Sequence, residues 1–429
     1  MADVLTTLTA LAVSVFRSRS DEGLFPNSLL ANRWFDLPVA DPVLREISRM
    51  AVIPANQDSA INEFANLALD HPDLAPIALR DGELDPMILT PGGGFRMSPQ
   101  AIISALFSSA FRQMYFLRLP EDEGVFVRTV LEGFEELRRA SRGERVRAYA
   151  LTGFARITLP EGSQVSTRWG VVRPAPPVRP DDLVFFTMHQ PVTTCILAEP
   201  RLLPVKFDRA PSPEHSFDPA EIGSDRARVL FALACALASR ESSSPAVPLV
   251  TWSTLLLPFQ SGIGFSSPHP VSTLGAVIDL GDRIAELEEW TRIVDRSHAP
   301  SVEIAAQRLI SAVGHRLDRS DALIDAVMVW ENLVGTTSEV TFRVTAALAK
   351  LLETDPAKRR DLRKSLADIY NIRSRVVHGA AVDAAAVQKA CSDAIDVAVR
   401  ALRASYRRGP EWLALSSIER ADSILLEWE

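Results

Sequence analysis

The chain has 429 residues, of which 47% are hydrophobic, 23% charged and 7% aromatic, with a formal net charge of −8. That length supports two or three domains with cores of their own, and the acid excess excludes a general nucleic-acid coat. Three cysteines, Cys195, Cys235 and Cys391, lie far apart with no CxxC, which excludes a zinc ribbon and a disulfide framework and makes a reducing cytoplasm the expected compartment.

The opening stretch, MADVLTTLTALAVSVFRSRS, is moderately apolar, but Asp3 stands where a signal peptide needs Lys or Arg. No uncharged apolar run approaches the roughly 20 residues of a membrane span, so no membrane association is expected. Residues 1–140 read as mainly helical: SAINEFANLALDH from Ser59, SPQAIISALFSSAFRQMYFL from Ser98 and GVFVRTVLEGFEELRRA from Gly124 repeat apolar residues at helical spacing. Between them, TPGGGF at 90–95 reads as a flexible turn. Its three glycines lack the following GKS or GKT of a phosphate loop.

From about Arg145 the period changes. RVRAYALTGFARITL, VSTRWGVVRP, LVFFTMHQPVTTCILAE and VPLVTWSTLLLPF are rich in Val, Thr, Phe and Ile and read as strands. RPAPPVRP at 173–180 is excluded from a central strand by its prolines. RARVLFALACALASR from Arg226 reads as a helix, and SSPHPVS at 266–272 as a proline-rich loop. After Leu280 every segment is helical, joined by short connections that favour antiparallel neighbours. The expected fold class is α+β, with a mixed α/β N-terminal and middle region followed by a C-terminal all-α bundle. Its expected divisions are residues 1–140, a β-rich 141–280 that would serve as a sensor, a bundle over 281–410 and an acidic tail over 411–429.

Charge is unevenly spread. From Pro356 to Pro410 twelve Lys and Arg face five Asp, about seven positive charges in excess, so the rest of the chain carries about −15. This points to one local anionic ligand or, alternatively, to ordinary solvated helix faces. Within this segment the helix beginning at Asp355–Pro356 carries an apolar stripe of Leu362, Leu366, Ile369, Ile372, Val376 and Val377, then ends at His378–Gly379. Arg373 and His378 are five apart, about 140° around an ideal helix. They meet at one ligand only if the last turn loosens at Gly379. The helix C-terminus raises the pKa of such a histidine and a neighbouring arginine lowers it, giving a group poised for proton transfer.

An arginine and a histidine without a metal suit phosphodiester transesterification. A base takes the 2′-hydroxyl proton, an acid protonates the leaving 5′-oxygen, and a guanidinium neutralises the equatorial oxygens. One histidine supplies one proton-transfer group, and a two-fold pair of subunits supplies two. The alternative is a helix terminus whose Arg and His satisfy the last carbonyls. The other six histidines (His71, His189, His215, His269, His298 and His315) show no metal spacing, and no GxSxG is present, so neither metal nor cofactor is expected.

The run IYNIRSRVVHG at 369–379 resembles the signature of HEPN domains, specifically the Apea-like branch found in prokaryotic defence proteins. It carries Tyr370, then Arg373–Ser374, then His378–Gly379, with four residues between Arg and His. Glu331 in VWENLV and the Glu339/Arg343 pair in the next helix look similar to upstream features of that family. The likeness covers roughly residues 285–406. It implies a helical bundle that forms a homodimer and acts on RNA as a metal-independent endoribonuclease, as a toxin or abortive-infection effector in anti-phage defence. In that frame His378 is the acid/base and Arg373 the phosphate clamp. Ser374 orients the histidine or contacts phosphate, and Glu331 holds Arg373 or is structural. Tyr370 packs or stacks on a base, and Arg375, Lys364 and Arg363 contact the RNA backbone. The Glu339/Arg343 pair reads as helix support, and Trp330 as bundle core. Residues 1–280 are left as a regulator, with room for a phage-derived trigger or ligand, their acidity shielding the basic cleft. A competing expectation is a non-catalytic HEPN-like dimerisation or RNA-binding module. A further one is a regulator acting with a nucleotidyltransferase.

Overall fold

Apolar residues at helical spacing build an N-terminal layer of four helices: α1 (Ala2–Asp21), α2 (Asp58–Leu69), α3 (Pro99–Phe116) and α4 (Glu123–Ser141). The structure, a computed structural model, describes residues 2–21, 58–77, 85–90, 93–175, 193–208, 224–259, 278–281 and 283–426. In α1, Val4, Leu8, Leu11, Ala12 and Val15 recur every three or four residues and bury one face in a core shared with Phe64, Phe126 and Phe134. Ser98 caps α3 by accepting the Ala101 N–H at 3.2 Å, and Asp122 caps α4 by accepting the Val125 N–H at 3.1 Å. The TPGGGF segment, read as a flexible turn, joins β1 (Met87–Thr90) to β2 (Gly93–Arg96) in an antiparallel hairpin, and β8 (Lys206–Asp208) pairs with the other edge of β1.

The strand-rich region forms a five-stranded antiparallel sheet ordered β5 (Val165–Ser166), β6 (Val171–Pro174), β7 (Cys195–Leu203), β3 (Val146–Ala155), β9 (Leu249–Leu256). The register runs from Val146↔Leu203 to Phe154↔Cys195. The period of two divides the side chains between faces. Phe154, Cys195 and Leu197 face the C-terminal half, whereas Leu151, Ile196 and Trp252 pack on Phe116 and Leu117. Pro174 is the last residue of β6, where β5 no longer pairs alongside and the missing donor faces no partner strand. A two-residue parallel pair, β4 (Ile157–Thr158) with β10 (Ile278–Asp279), closes one corner. SSPHPVS, residues 183–192 and His189, His215 and His269 lie outside the described residues.

The C-terminal half is all helix: α6 (Ile284–Ser297), α7 (Glu303–Ile310) running into a π turn at Ser311–His315, α8 (Arg319–Val334), α9 (Val340–Leu352), α10 (Pro356–Val377) and α11 (Ala384–Arg408). Trp330 is fully buried at its centre and donates Nε1–H to the Ala394 carbonyl at 3.2 Å. His298 is structural: Nδ1 lies 2.6 Å from the Tyr406 hydroxyl and Nε2 2.7 Å from Glu303.

Two features depart from the expected divisions. The apolar core of the bundle does not stop near residue 280. It takes in α5 (Ser224–Ala238) through Leu230, Phe231, Leu233 and Leu237. Arg403 of α11 donates to the Leu237 carbonyl at 2.8 Å and to Ser242 Oγ at 3.0 Å, so the bundle caps the end of α5. Nor are residues 411–426 a tail. They form α12 (Pro410–Ala414) and α13 (Ser417–Leu426), with Leu413, Ala421 and Ile424 buried. Their anchor is Arg420, wholly buried, whose guanidinium donates to the carbonyls of Leu333 (2.8 Å), Asn332 (2.8 Å), Leu413 (3.1 Å) and Leu415 and stacks on Trp412. No helix among the described residues is long and apolar enough to cross a membrane.

Candidate functional site

The helix that carries the motif is fixed at both ends by local chemistry. Asp355 accepts the N–H groups of Ala357 (2.8 Å) and Lys358 (2.9 Å), with Pro356 at the first turn. At the far end Gly379 takes φ 72°. Its N–H reaches the Val376 carbonyl at 3.0 Å, and the Ala380 N–H reaches Arg375 at 2.9 Å. These are the two bonds of a Schellman motif, and they set His378 as the helix cap, its N–H on the Ser374 carbonyl at 3.1 Å.

Helix α10 has two unlike faces. Leu366, Ile369 and Tyr370 are buried, Leu362, Ile372 and Val376 are half-buried, and Val377, read as part of the apolar stripe, is half exposed. Arg373 belongs to the inward face, four residues after Ile369 and three before Val376. It leans toward α8, where Nη2 lies 3.7 Å from Glu331 Oε2, and its guanidinium carbon is 5.9 Å from the Tyr370 ring centre. Tyr370 donates its hydroxyl to the other oxygen of Glu331. Burial, and then that carboxylate, hold the phenol well above its ordinary pKa. The Arg373 guanidinium makes no hydrogen bond among the described residues, and its Nε is buried.

The outward face carries the rest. Arg360, Lys364, Asn371, Arg375 and His378 are all exposed and fall within about 60° of one line along the helix. Neither the His378 side chain nor that of Lys364 has a hydrogen bond or ion pair among the described residues. Arg375 spends one donor on the Ala381 carbonyl at 2.8 Å, clipping the turn after the helix. Arg363 lies 4.4 Å over the Phe342 ring of α9. Ser374 is half-buried, and what it gives His378 is its backbone carbonyl. Within one chain the expected residues thus form two groups: Arg373, Glu331 and Tyr370 inside, and His378, Arg375 and Lys364 outside.

The Glu339/Arg343 pair is not helix support. Glu339 takes φ 49° at the cap of α9, and Arg343 pairs with Asp422 of α13. Sequence reasoning missed Arg420, which binds the carbonyls of Asn332 and Leu333 and so fixes the turn of α8 that presents Glu331. It also missed Gly335, where a Cβ would sit 2.1 Å from the Glu331 carbonyl, so only glycine lets the chain leave α8 there. Arg420 carried no sequence signal because its partners lie up to 119 residues away. A glycine after an apolar helical run was the available signal for Gly335.

No family model, curated protein or solved structure matches the chain. Among the described residues no group of three or more His, Cys, Asp or Glu side chains is placed to hold a metal ion.

Proposed function

We propose that the chain is a metal-independent endoribonuclease of the HEPN type, acting in anti-phage defence, with an active site completed by a second copy of the bundle. One observation carries the reading: an exposed imidazole with no partner among the described residues stands at the cap of a helix, five residues beyond an arginine that makes no hydrogen bond among them. In this mechanism His378 of one subunit takes the proton of an RNA 2′-hydroxyl. The O2′ attacks phosphorus, the P–O5′ bond breaks, and the leaving oxygen takes a proton from the second subunit's imidazolium. The products are a 2′,3′-cyclic phosphate and a 5′-hydroxyl. Arg373 neutralises the developing charge after turning from Glu331, a step made easier by the 3.7 Å separation of that ion pair. Arg360, Lys364 and Arg375 hold the RNA backbone, so binding weakens as salt rises.

The test incubates the purified chain and His378→Ala with RNA in the presence of EDTA. Wild type is expected to cut and leave cyclic phosphate ends, with the mutant slower by about a hundredfold or more. A wild type that does not cut, or a mutant that cuts equally well, defeats the proposal. A second reading is favoured by the inward seat of Arg373 against Glu331 and Tyr370, which suits a structural arginine. In that case the bundle binds RNA or a partner without cutting, and both proteins leave the RNA intact.

A further inference from the structure

Two irregularities of the backbone meet at one cavity. Just after strand β3 comes Arg156, a non-glycine residue in the left-handed region at φ 68° that is only 8% exposed. A conformation of this kind costs about 1 kcal/mol or more and persists where the surroundings hold it. Facing it, α7 ends in the π turn at Ser311–His315, a rare element that recurs at functional sites. The third wall is the serine-rich connection after α5, and the fourth is the start of α8.

The cavity between them has a volume of about 110 Å³, several times the roughly 10–15 Å³ that one water needs. Three arginines line it, Arg156, Arg316 and Arg319, together with the hydroxyl-bearing Ser243 and Ser244. No carboxylate among the described residues lines it. Arg316 is ion-paired outside the lining: Nε is 2.6 Å from Asp325, and Nη1 is 3.7 Å from Asp321. Val247, Val313 and Leu317 give the cavity one apolar wall, and Leu317 is 70% exposed beside it.

We propose that this cavity is a binding site for a small phosphorylated organic molecule, its phosphoryl group held among Arg156, Arg316 and Arg319 and its organic part resting on Val247, Val313 and Leu317. Arginine's planar fork matches a phosphate, and the lining brings three such groups and two hydroxyls to one cavity. Burial holds the Arg156 guanidinium below its ordinary pKa, and a bound phosphoryl group would add an anion beside it. The size favours a compact ligand over an oligonucleotide, and the position places it at the seam between sheet and bundle. The site is independent of the ribonuclease reading and stands or falls without it.

Isothermal titration and thermal shift on the full chain test it, with inorganic phosphate, pyrophosphate, adenosine monophosphate and adenosine as probes. The monophosphate is expected to bind and raise the melting temperature, with adenosine inert. Inorganic phosphate binding as tightly as the monophosphate would overturn the role of the apolar wall. Arg319→Glu, at an exposed position whose guanidinium also bonds the buried Cys391 thiol, is expected to weaken binding by about tenfold or more while the circular dichroism spectrum holds. Arg156→Gln is expected to do the same, with folding checked by circular dichroism. No binding of any phosphorylated probe at about 1 mM, or binding that both variants leave unchanged, overturns the proposal.

Discussion

Single side chains in this protein show how a buried charge is kept. Asp325 is 1% exposed at its side chain, between Arg316 Nε at 2.6 Å, Ser311 Oγ at 2.7 Å and Arg308 Nη1 at 2.8 Å. Burial alone would raise its pKa, but the three donors outweigh that and hold it below the ordinary carboxylate value. A depressed folded pKa stabilises the protein above the unfolded value, and that stability is lost as pH falls through the folded one. The contribution of Asp325 is therefore full above about pH 4 and fades below it. Asp325→Asn is expected to lose about 2 kcal/mol at neutral pH, discounted for the partial exposure of both arginines. It should also flatten the acid limb of a plot of urea-derived stability against pH; an unchanged limb would place the acid sensitivity elsewhere. Arg420 solves the opposite problem without any carboxylate, through carbonyl oxygens, and burial brings its pKa down to about 10, still protonated at neutral pH. Neither network was legible in the sequence, because each depends on residues that only the tertiary fold brings together.

At the scale of elements the sequence was more informative. Helix α10 begins and ends where Asp355–Pro356 and His378–Gly379 place it, because an N-cap carboxylate, a first-turn proline and a left-handed glycine act through bonds to their own neighbours. Local signals of this kind need no knowledge of packing. The π turn had none, since VEIAAQRLISAVGHRL repeats its apolar residues like any helix. The two faces of α10 were largely legible: the apolar stripe sets the inward face and the helical repeat puts about 140° between Arg373 and His378, whereas the partner Glu331 on α8 carried no local signal. Gly379 lends itself to measurement. A Cβ there would meet nothing within 4 Å, so the strain of a substitution lies in the backbone alone. Gly379→Ala is expected to cost about 1 kcal/mol in urea unfolding, and Gly379→Asn distinctly less, because asparagine enters the left-handed region more readily. Equal losses for both would mean that the turn, not the φ angle, sets the end of the helix.

For the whole molecule, the order of elements along the chain hides the order of packing in space. The change from strand to helix chemistry near residue 280 is real in sequence, yet α5, which precedes β9 and β10, belongs to the core of the bundle. Arg403 and Arg283 bind its last carbonyls, and one face of the sheet, through Phe154, Cys195 and Leu197, completes the same core. This bears on the idea that the acidic residues 1–280 shield a basic cleft. Cutting the chain at residue 281 to release the nuclease also strips the bundle of Leu230, Phe231, Leu233 and Leu237, four side chains each worth about 1.5–3 kcal/mol when buried. That sum is comparable to the whole stability of a typical domain. A fragment of residues 281–429 is therefore expected to unfold without a cooperative transition and to bind a hydrophobic dye, whereas the full chain melts cooperatively. A fragment that melted as sharply as the full chain would show that α5 is only docked on a self-sufficient bundle. The shielding idea is better tested in the intact chain, by neutralising exposed acids of residues 1–280 and asking whether RNA cleavage rises while the melting temperature holds.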